Sequence, residues 1–216
     1  MKSVLVIGMG RMGRHLAFKM LELGNDVMIV DSNEKKIEEL APVFTDSLIG
    51  DCRNEAVVRS LGVSNFDICF VAIGEDFQSS LEITSLLKEL GAKFVVSKAN
   101  RDRQEKFLLS IGADEVIYAE KEIAEKLAIR HNSNNIFDYI ELTPEYAIYE
   151  IEVRHDWIGH SLMSLNVRRK HNVNIIAIKH QNILQPTPDP EYKFKEGDHI
   201  VVIGKSSDVF KLTAKQ

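Results

Sequence analysis

Apolar residues in this chain fall into short dense runs, separated by longer stretches in which they recur every three or four positions. From Ser3 to about Arg130 the two textures alternate. The runs SVLVIG, DVMIVD, DSLIG, ICFVAIG, FVVSK and EVIY predict strands. The stretches Met12–Leu23, Glu34–Leu40, Glu55–Leu61, Ser79–Leu90, Asp102–Ile111 and Lys121–Arg130 predict amphipathic helices. The strands show almost no polar alternation, as expected for a sheet covered by helices on both faces. Alternating β and α of this kind predicts an N-terminal α/β lobe, a Rossmann-like, doubly wound parallel sheet.

The texture changes after Arg130. HNSNN (His131–Asn135) is polar and a poor helix former, suited to ending a first domain or bending the chain. IFDYIELTPEYA follows, and a second pattern begins near Glu145. AIYEIEVR alternates like a half-buried strand, NIIAIKH reads as a buried one, and DHIVVIG as another. PTPDP (Pro186–Pro190) predicts a rigid loop, and SSDVFKLTA a short final helix opened by serine. This is a small α+β module of roughly 70 residues, within the size of a minimal domain. The expected division is a domain over 1–132, a linker or crossover over 133–144, and a second domain over 145–216. No internal repeat or low-complexity segment interrupts it.

Composition narrows the classes. The 216 residues are 44% hydrophobic and 27% charged, as in an ordinary globular protein. No run approaches the roughly 18 apolar residues of a membrane span. Met1 leads directly into a strand, so no signal peptide is expected. Cys52 and Cys69 match no metal-ligand spacing and read as two reduced thiols of a cytoplasmic protein. With 27 basic against 32 acidic residues the net charge is −5, and VRRKH (Val167–His171) is too short a basic run to suggest a nucleic-acid face.

The chemistry concentrates at the first strand–helix junction. Gly8, Gly10 and Gly13 fit G-x-G-x-x-G between a predicted strand and a predicted helix, and Asp31 ends the next strand. The first glycine permits the tight turn, the second lets the backbone approach a pyrophosphate, and the third lets helix and strand pack closely. Unpaired N–H groups at the helix start then face phosphates. A carboxylate at Asp31 accepts ribose hydroxyls, favouring NAD or an adenosine nucleotide over a 2′-phosphorylated one. Met9, Met12 and Ser32 complete the lining beside these residues. Asp51, in GDC, borders the adenine position or caps the following helix. Ile73 and Gly74 close the fourth strand across the crevice, where Gly74 also fits an ordinary strand-to-helix turn. Arg11 reaches terminal phosphates, of its own ligand or of a neighbour's, or stays solvated.

A dehydrogenase needs a proton-transfer group beside the nicotinamide. None of the seven histidines ends a predicted strand of the first lobe. Lys98, in SKAN, and Glu120, after the sixth strand, are the candidates, and either also suits a phosphate or a metal. The second module shows no nucleophile elbow or metal-ligand cluster. The residues therefore favour a binding module without catalytic residues. A small NAD-dependent oxidoreductase is the alternative; a redox-sensing DNA-binding protein lacks a helix-turn-helix or a basic face.

The segments VIGMGRMGRHLA, VMIVD, GDC, VAIGEDFQSSL, LLKELG, SKAN, IGADEVIYAEKEIAEKLA and LNVRRKHNVNIIAIKH occur in this order along nearly the whole chain. In them the chain resembles the cytoplasmic regulatory subunits of Trk/Ktr-type potassium uptake systems, built from RCK domains (regulators of potassium conductance). The resemblance implies a lobe that binds ATP, ADP or NAD(H) without redox turnover. It also implies homodimers assembled into an octameric ring, peripheral at the inner face of the membrane under a potassium-translocating subunit. Gly8, Gly10 and Gly13 would cradle phosphates, Asp31 would hold ribose, and Asp51 and Cys52 would border adenine. Arg11 would face the outer phosphates of the partner subunit's nucleotide. Glu120 matches a glutamate that helps place Mg2+ or another divalent cation in some members, although Ala119 stands where relatives often have proline. The C-terminal module resembles a domain that binds cyclic di-AMP across its dimer interface in some members. The matching positions are Leu162, Val167, Arg168, Asn174, Ile175, Ile176 and Pro190, with Asn166 in place of an acidic residue. In the residues' own terms, Ile175 and Ile176 also read as dimer core and Arg168 as a solvated cation.

Overall fold

A computed structural model describes residues 1–44, 46–132 and 135–214. The chain divides into two compact units, Met1–Lys121 and Glu122–Gln216, with the division inside α6 (Ala119–Asn132).

In the first unit, strands β1 (Ser3–Ile7), β2 (Asp26–Asp31), β3 (Asp46–Ile49), β4 (Ile68–Val71), β5 (Val95–Lys98) and β6 (Glu115–Ile117) are all parallel. They are joined by α1 (Arg11–Glu22), α2 (Glu34–Leu40), α3 (Glu55–Ser60), α4 (Phe77–Glu89) and α5 (Asp102–Ser110). The spatial order is β3-β2-β1-β4-β5-β6. β1 shows why its sequence runs apolar without a break. Val4 and Val6 join a core with Ala17 of α1 and Ile37 of α2, while Leu5 and Ile7 join another with Val58 of α3 and Ile83 of α4. Successive side chains point to opposite faces, and both faces are covered. The chain reverses its direction of travel across the sheet between β1 and β4, which opens a crevice beyond their carboxyl ends.

The second unit is an antiparallel sheet in the order β10-β9-β11-β8-β7. Its strands are β7 (Ile136–Glu141), β8 (Tyr146–Glu152), β9 (Val173–His180), β10 (Ile183–Pro186) and β11 (His199–Lys205). Helices α7 (Leu162–Leu165), α8 (Val167–His171) and α9 (Ser206–Thr213) complete it. The core gathers Tyr149, Trp157, Ile178, Phe194, Ile200 and Val202.

Three expectations change. His131 and Asn132 belong to α6, whose last turn carries Arg130; its positive charge suits a helix C-terminus and outweighs poor propensity. Ser133 and Asn134 of the same stretch lie outside the described residues. β7 occupies part of the segment read as a linker, pairing with β8 from Ile136↔Ile151 to Glu141↔Ala147. Pro186, read as the start of a rigid loop, ends β10, an edge strand exposed along its whole length. Pro is tolerated on an edge because its missing N–H faces solvent.

Candidate functional site

The crevice at the carboxyl ends of β1, β2, β4 and β5 is a cleft of about 1070 Å³. Its floor is the turn from β1 into α1. Gly8 has φ +97°, and a Cβ built on Gly13 would lie 1.9 Å from the Gly8 carbonyl oxygen, so both positions require glycine. A Cβ on Gly10 would meet nothing within 4 Å, because that face of the turn opens into the cleft. α1 begins there with no side-chain cap and no acidic residue in its first turn. Its leading N–H groups therefore have no intrahelical acceptor, and they combine with the helix dipole into an anion-accepting end.

Asp31 stands at the tip of β2, 7% exposed. Its Oδ2 accepts the Met9 N–H at 2.7 Å and the Lys36 ammonium at 3.0 Å, and its Oδ1 accepts the Asn33 N–H at 2.8 Å. The carboxylate is thereby fixed in orientation while still lining the cleft. Asp51 also lines it, held by a two-pronged pair with Arg53, whose Nε lies 3.0 Å from Oδ1 and whose Nη2 lies 2.6 Å from Oδ2. The Arg53 guanidinium and backbone N–H hold the Asp51 carboxyl below the usual carboxylate range. The cap of α3 is Asn54, which accepts the Ala56 N–H, so the capping role offered to Asp51 falls to its neighbour. Cys52 is buried against the cleft, and burial, reinforced by the charges of Asp51 and Asp31, pushes its thiol up to about 12. A thiol held protonated is a poor nucleophile. Both cysteines are free.

Across the crevice, a Cβ built on Gly74 would meet the side chains of Lys98 and Asn100; the Asn100 amide donates to the Gly74 carbonyl, and its Oδ1 is buried without a partner. Lys98 Nζ lies 3.1 Å from Glu120 Oε1. The Glu120 carboxyl is held below the ordinary range by its own backbone N–H, then by Lys98, with the charge of Arg11 adding to the effect. Arg11 itself is exposed at the first position of α1.

The structure thus brings together Gly8, Gly10, Arg11, Met12, Asp31, Ser32, Asp51, Cys52, Ile73, Gly74, Lys98 and Glu120 on one cleft. Met9 and Gly13 lie outside the lining. The Met9 side chain is buried in the core, where only its N–H serves Asp31, and Gly13 is packed against the turn. Sequence reasoning did not name Lys36, Arg53, Asn100 or Tyr118, which also line it. Each follows a named residue or a strand end within five positions, and that proximity was the available signal. No group of three or more metal-ligating side chains exists among the described residues. Glu120, already paired with Lys98, does not by itself make a cation site.

Residues 4–119 match the TrkA-N domain and residues 147–215 the TrkA-C domain. The chain belongs to the TrkA-N/TrkA-C family. It is 38% identical over 208 residues to Ktr system potassium uptake protein C of Bacillus subtilis (strain 168), covering 96% of this chain and 94% of that protein. It is 36% identical to Ktr system potassium uptake protein A of the same organism, with the same coverage. Among solved structures, the GsuK channel bound to NAD superposes with a TM-score of 0.70 at 17% identity, covering 96% of this chain and 38% of that one. That likeness establishes the shared fold.

In the TrkA-C domain, Arg168 and Asn174 line a separate hollow of about 390 Å³ with Tyr146, Asn172, Val173, Ile203 and Gly204. The remaining residues read as a second site do not join them there. Val167 is a buried core residue: α8 is a single turn between Asn166 and Asn172, both left-handed, and it turns Val167 inward. Leu162 and Ile175 pack against the same core. Ile176 sits at the β-bulge between β9 and β11, and Pro190 is exposed, its carbonyl accepting the Met163 N–H. No helix of the described residues is long and apolar enough to cross a membrane.

Proposed function

We propose that the cleft of the TrkA-N domain binds an adenosine nucleotide (ATP, ADP or NAD(H)) as a regulatory ligand, and that the chain is a nucleotide-sensing subunit controlling a membrane potassium-uptake protein. The observation that carries this reading is the uncapped α1 start lying on one cleft with the oriented carboxylate of Asp31. The names of the relatives, potassium uptake proteins, support the transport context. No catalytic step is assigned. Lys98 and Glu120, the proton-transfer candidates named from sequence, are bonded to each other.

ATP, ADP and NAD(H) share adenosine and differ beyond its first phosphates, so a sensor must read the outer end. Arg11 is the exposed cation at that end, and it acts on the nucleotide of its own or an adjoining subunit. The assembly that uses it is a homodimer built into an octameric ring, cytoplasmic and peripheral at the inner face of the membrane through the pore subunit. A ligand moves such a ring only through its differential affinity for two shapes, so tight binding without preference regulates nothing. Mg2+ or another divalent cation enters only with nucleotide phosphates as its main ligands, since Glu120 is a single carboxylate. Cyclic di-AMP belongs to the same proposal as a second ligand of the TrkA-C domain, supported by Arg168 and Asn174 on their hollow.

Calorimetric titration with ATP, ADP, NAD+ and NADH, paired with light scattering, tests the reading. The expected result is that ATP and ADP bind with comparable strength, give particles of different size or shape, and lose that difference in Arg11→Ala. Binding of NAD+ or NADH alone, with an unchanged particle, overturns it.

A further inference from the structure

We propose that Lys36 sets selectivity at the ribose 2′ position, so that the cleft accepts a 2′-phosphorylated adenine dinucleotide alongside the unphosphorylated one. The inference rests on the nucleotide reading of the cleft given above. It starts from a count of hydrogen-bond positions on Asp31. An ionised carboxylate offers about four acceptor positions, two on each oxygen. Oδ2 uses two, for the Met9 N–H at 2.7 Å and the Lys36 ammonium at 3.0 Å, and Oδ1 uses one, for the Asn33 N–H at 2.8 Å. One position is left, on Oδ1. A ribose with both hydroxyls unmodified presents two donors. It can fill the last position with one, but its second can reach the carboxylate only if Lys36 leaves Oδ2.

Two of the three competitors are backbone N–H groups fixed by the β1 turn and by the start of α2. Lys36 is different, because its ammonium ends a flexible side chain that is 37% exposed and lines the cleft. It can move, and it carries a charge. When a 2′-phosphate replaces the hydroxyl, the group arriving beside Asp31 is an anion. An aspartate standing alone rejects it by like charge, which is why an acid at this place ordinarily favours the unphosphorylated ligand. Here a cation already sits 3.0 Å from the carboxylate. One of its three N–H donors serves Asp31, and the other two can reach phosphate oxygens, which form strong charge-assisted bonds. Lys36 thus works against the unphosphorylated ribose by occupying Oδ2, and for the phosphorylated one by neutralising Asp31.

The test compares Kd for NADH and NADPH in the full chain as wild type, Lys36→Met, Lys36→Gln and Lys36→Arg, with ATP as a control ligand. In wild type the two dinucleotides are expected to bind within about tenfold of each other, and loss of the charge in Met or Gln should raise the NADPH-to-NADH ratio of Kd by about tenfold or more. NADH itself should bind as well as before or more tightly, and Arg should preserve the wild-type ratio. A loss of structure would weaken all three ligands together, whereas the proposal moves the ratio. An unchanged ratio in both Met and Gln variants, with ATP and NADH still bound, overturns the role of Lys36 and leaves the nucleotide reading standing. Wild type that binds NADH but excludes NADPH overturns it too. If wild type binds none of the three, the nucleotide reading fails and this inference fails with it.

Discussion

Each unit of the chain is organised around a buried aspartate, and the two are finished differently. Asp198, in the second unit, is 0% exposed and enclosed by three partners from its own unit. The Tyr192 hydroxyl donates at 2.9 Å, the Lys195 N–H at 2.8 Å, and His180 Nδ1 lies at 2.6 Å. Asp31, in the first unit, is nearly as buried but lines a cleft, and one of its three donors is the ammonium of a partly exposed lysine. A buried carboxylate whose partners are all local serves the fold. One oriented by fixed donors yet left incomplete toward a cavity is prepared for a partner that arrives later. Each carboxylate takes three partners, so the difference lies in what it faces: Asp31 lines the cleft, and Asp198 is fully enclosed.

Asp198→Ala should produce the larger loss of stability. It leaves the half-buried Tyr192 hydroxyl and the Lys195 N–H without their acceptor, and the expected cost to the second unit is about 3 kcal/mol. Trp157 is the only tryptophan and is buried in that unit's core, so its fluorescence in a urea titration reads the effect there. Nucleotide affinity should not change. A second signature accompanies the loss: burial and the Asp198 carboxylate push the Tyr192 phenol up to about 12, and an alkaline absorbance titration should show it returning toward its usual range.

Asp31→Asn should reverse the balance of effects. The amide keeps the shape, but it loses the charge and turns a donor toward groups that already donate, for about 1 kcal/mol of stability. Nucleotide affinity should fall about tenfold or more, because charge-assisted acceptors at the ribose are lost. Calorimetry with NADH and thermal unfolding of the same samples check the two halves together. A stability loss equal to that of Asp198→Ala would abolish the distinction between the two aspartates.

What the sequence revealed divides along the same line. The first unit was legible because both faces of its sheet are buried, so each strand is an unbroken apolar run, and because Gly8, Gly13 and Asp31 carry constraints written in residue type. The second unit was harder. β10 buries nothing, so no hydrophobic pattern marks it; its register comes from the two-residue turn Gln181–Asn182, where both φ angles are positive, 48° and 65°. NIIAIKH shows no alternation because a bulge at Ile176 shifts the strand between faces partway along. Within the cleft, sequence spacing located Asp51 but not its engagement by Arg53, and Asp31 but not Lys36. Pairings of this kind depend on how a flexible side chain folds back across a turn, which no spacing rule encodes.

The smallest expected effect is a pH dependence confined to the second unit. Glu150 on β8 accepts His199 Nδ1 at 2.7 Å and the Lys179 ammonium at 2.9 Å, and His199 stacks on Phe137 at a centroid distance of 4.0 Å. Burial alone would raise the Glu150 carboxyl, but the bonds from Lys179 and His199 outweigh it and leave the group below its ordinary value. A carboxyl whose folded value is depressed contributes stability that is fully present above its unfolded value, about 4.3. That contribution disappears as pH falls through the lower folded value, where both states are protonated. Glu150→Gln should therefore be less stable than wild type at pH 7, and the gap should close as pH drops below about 4. Urea titrations at several pH values, followed by Trp157 fluorescence, measure that gap directly. A gap constant from pH 7 to pH 3 would mean that Glu150 acts through shape alone, and that the polar cluster of this sheet contributes packing without charge.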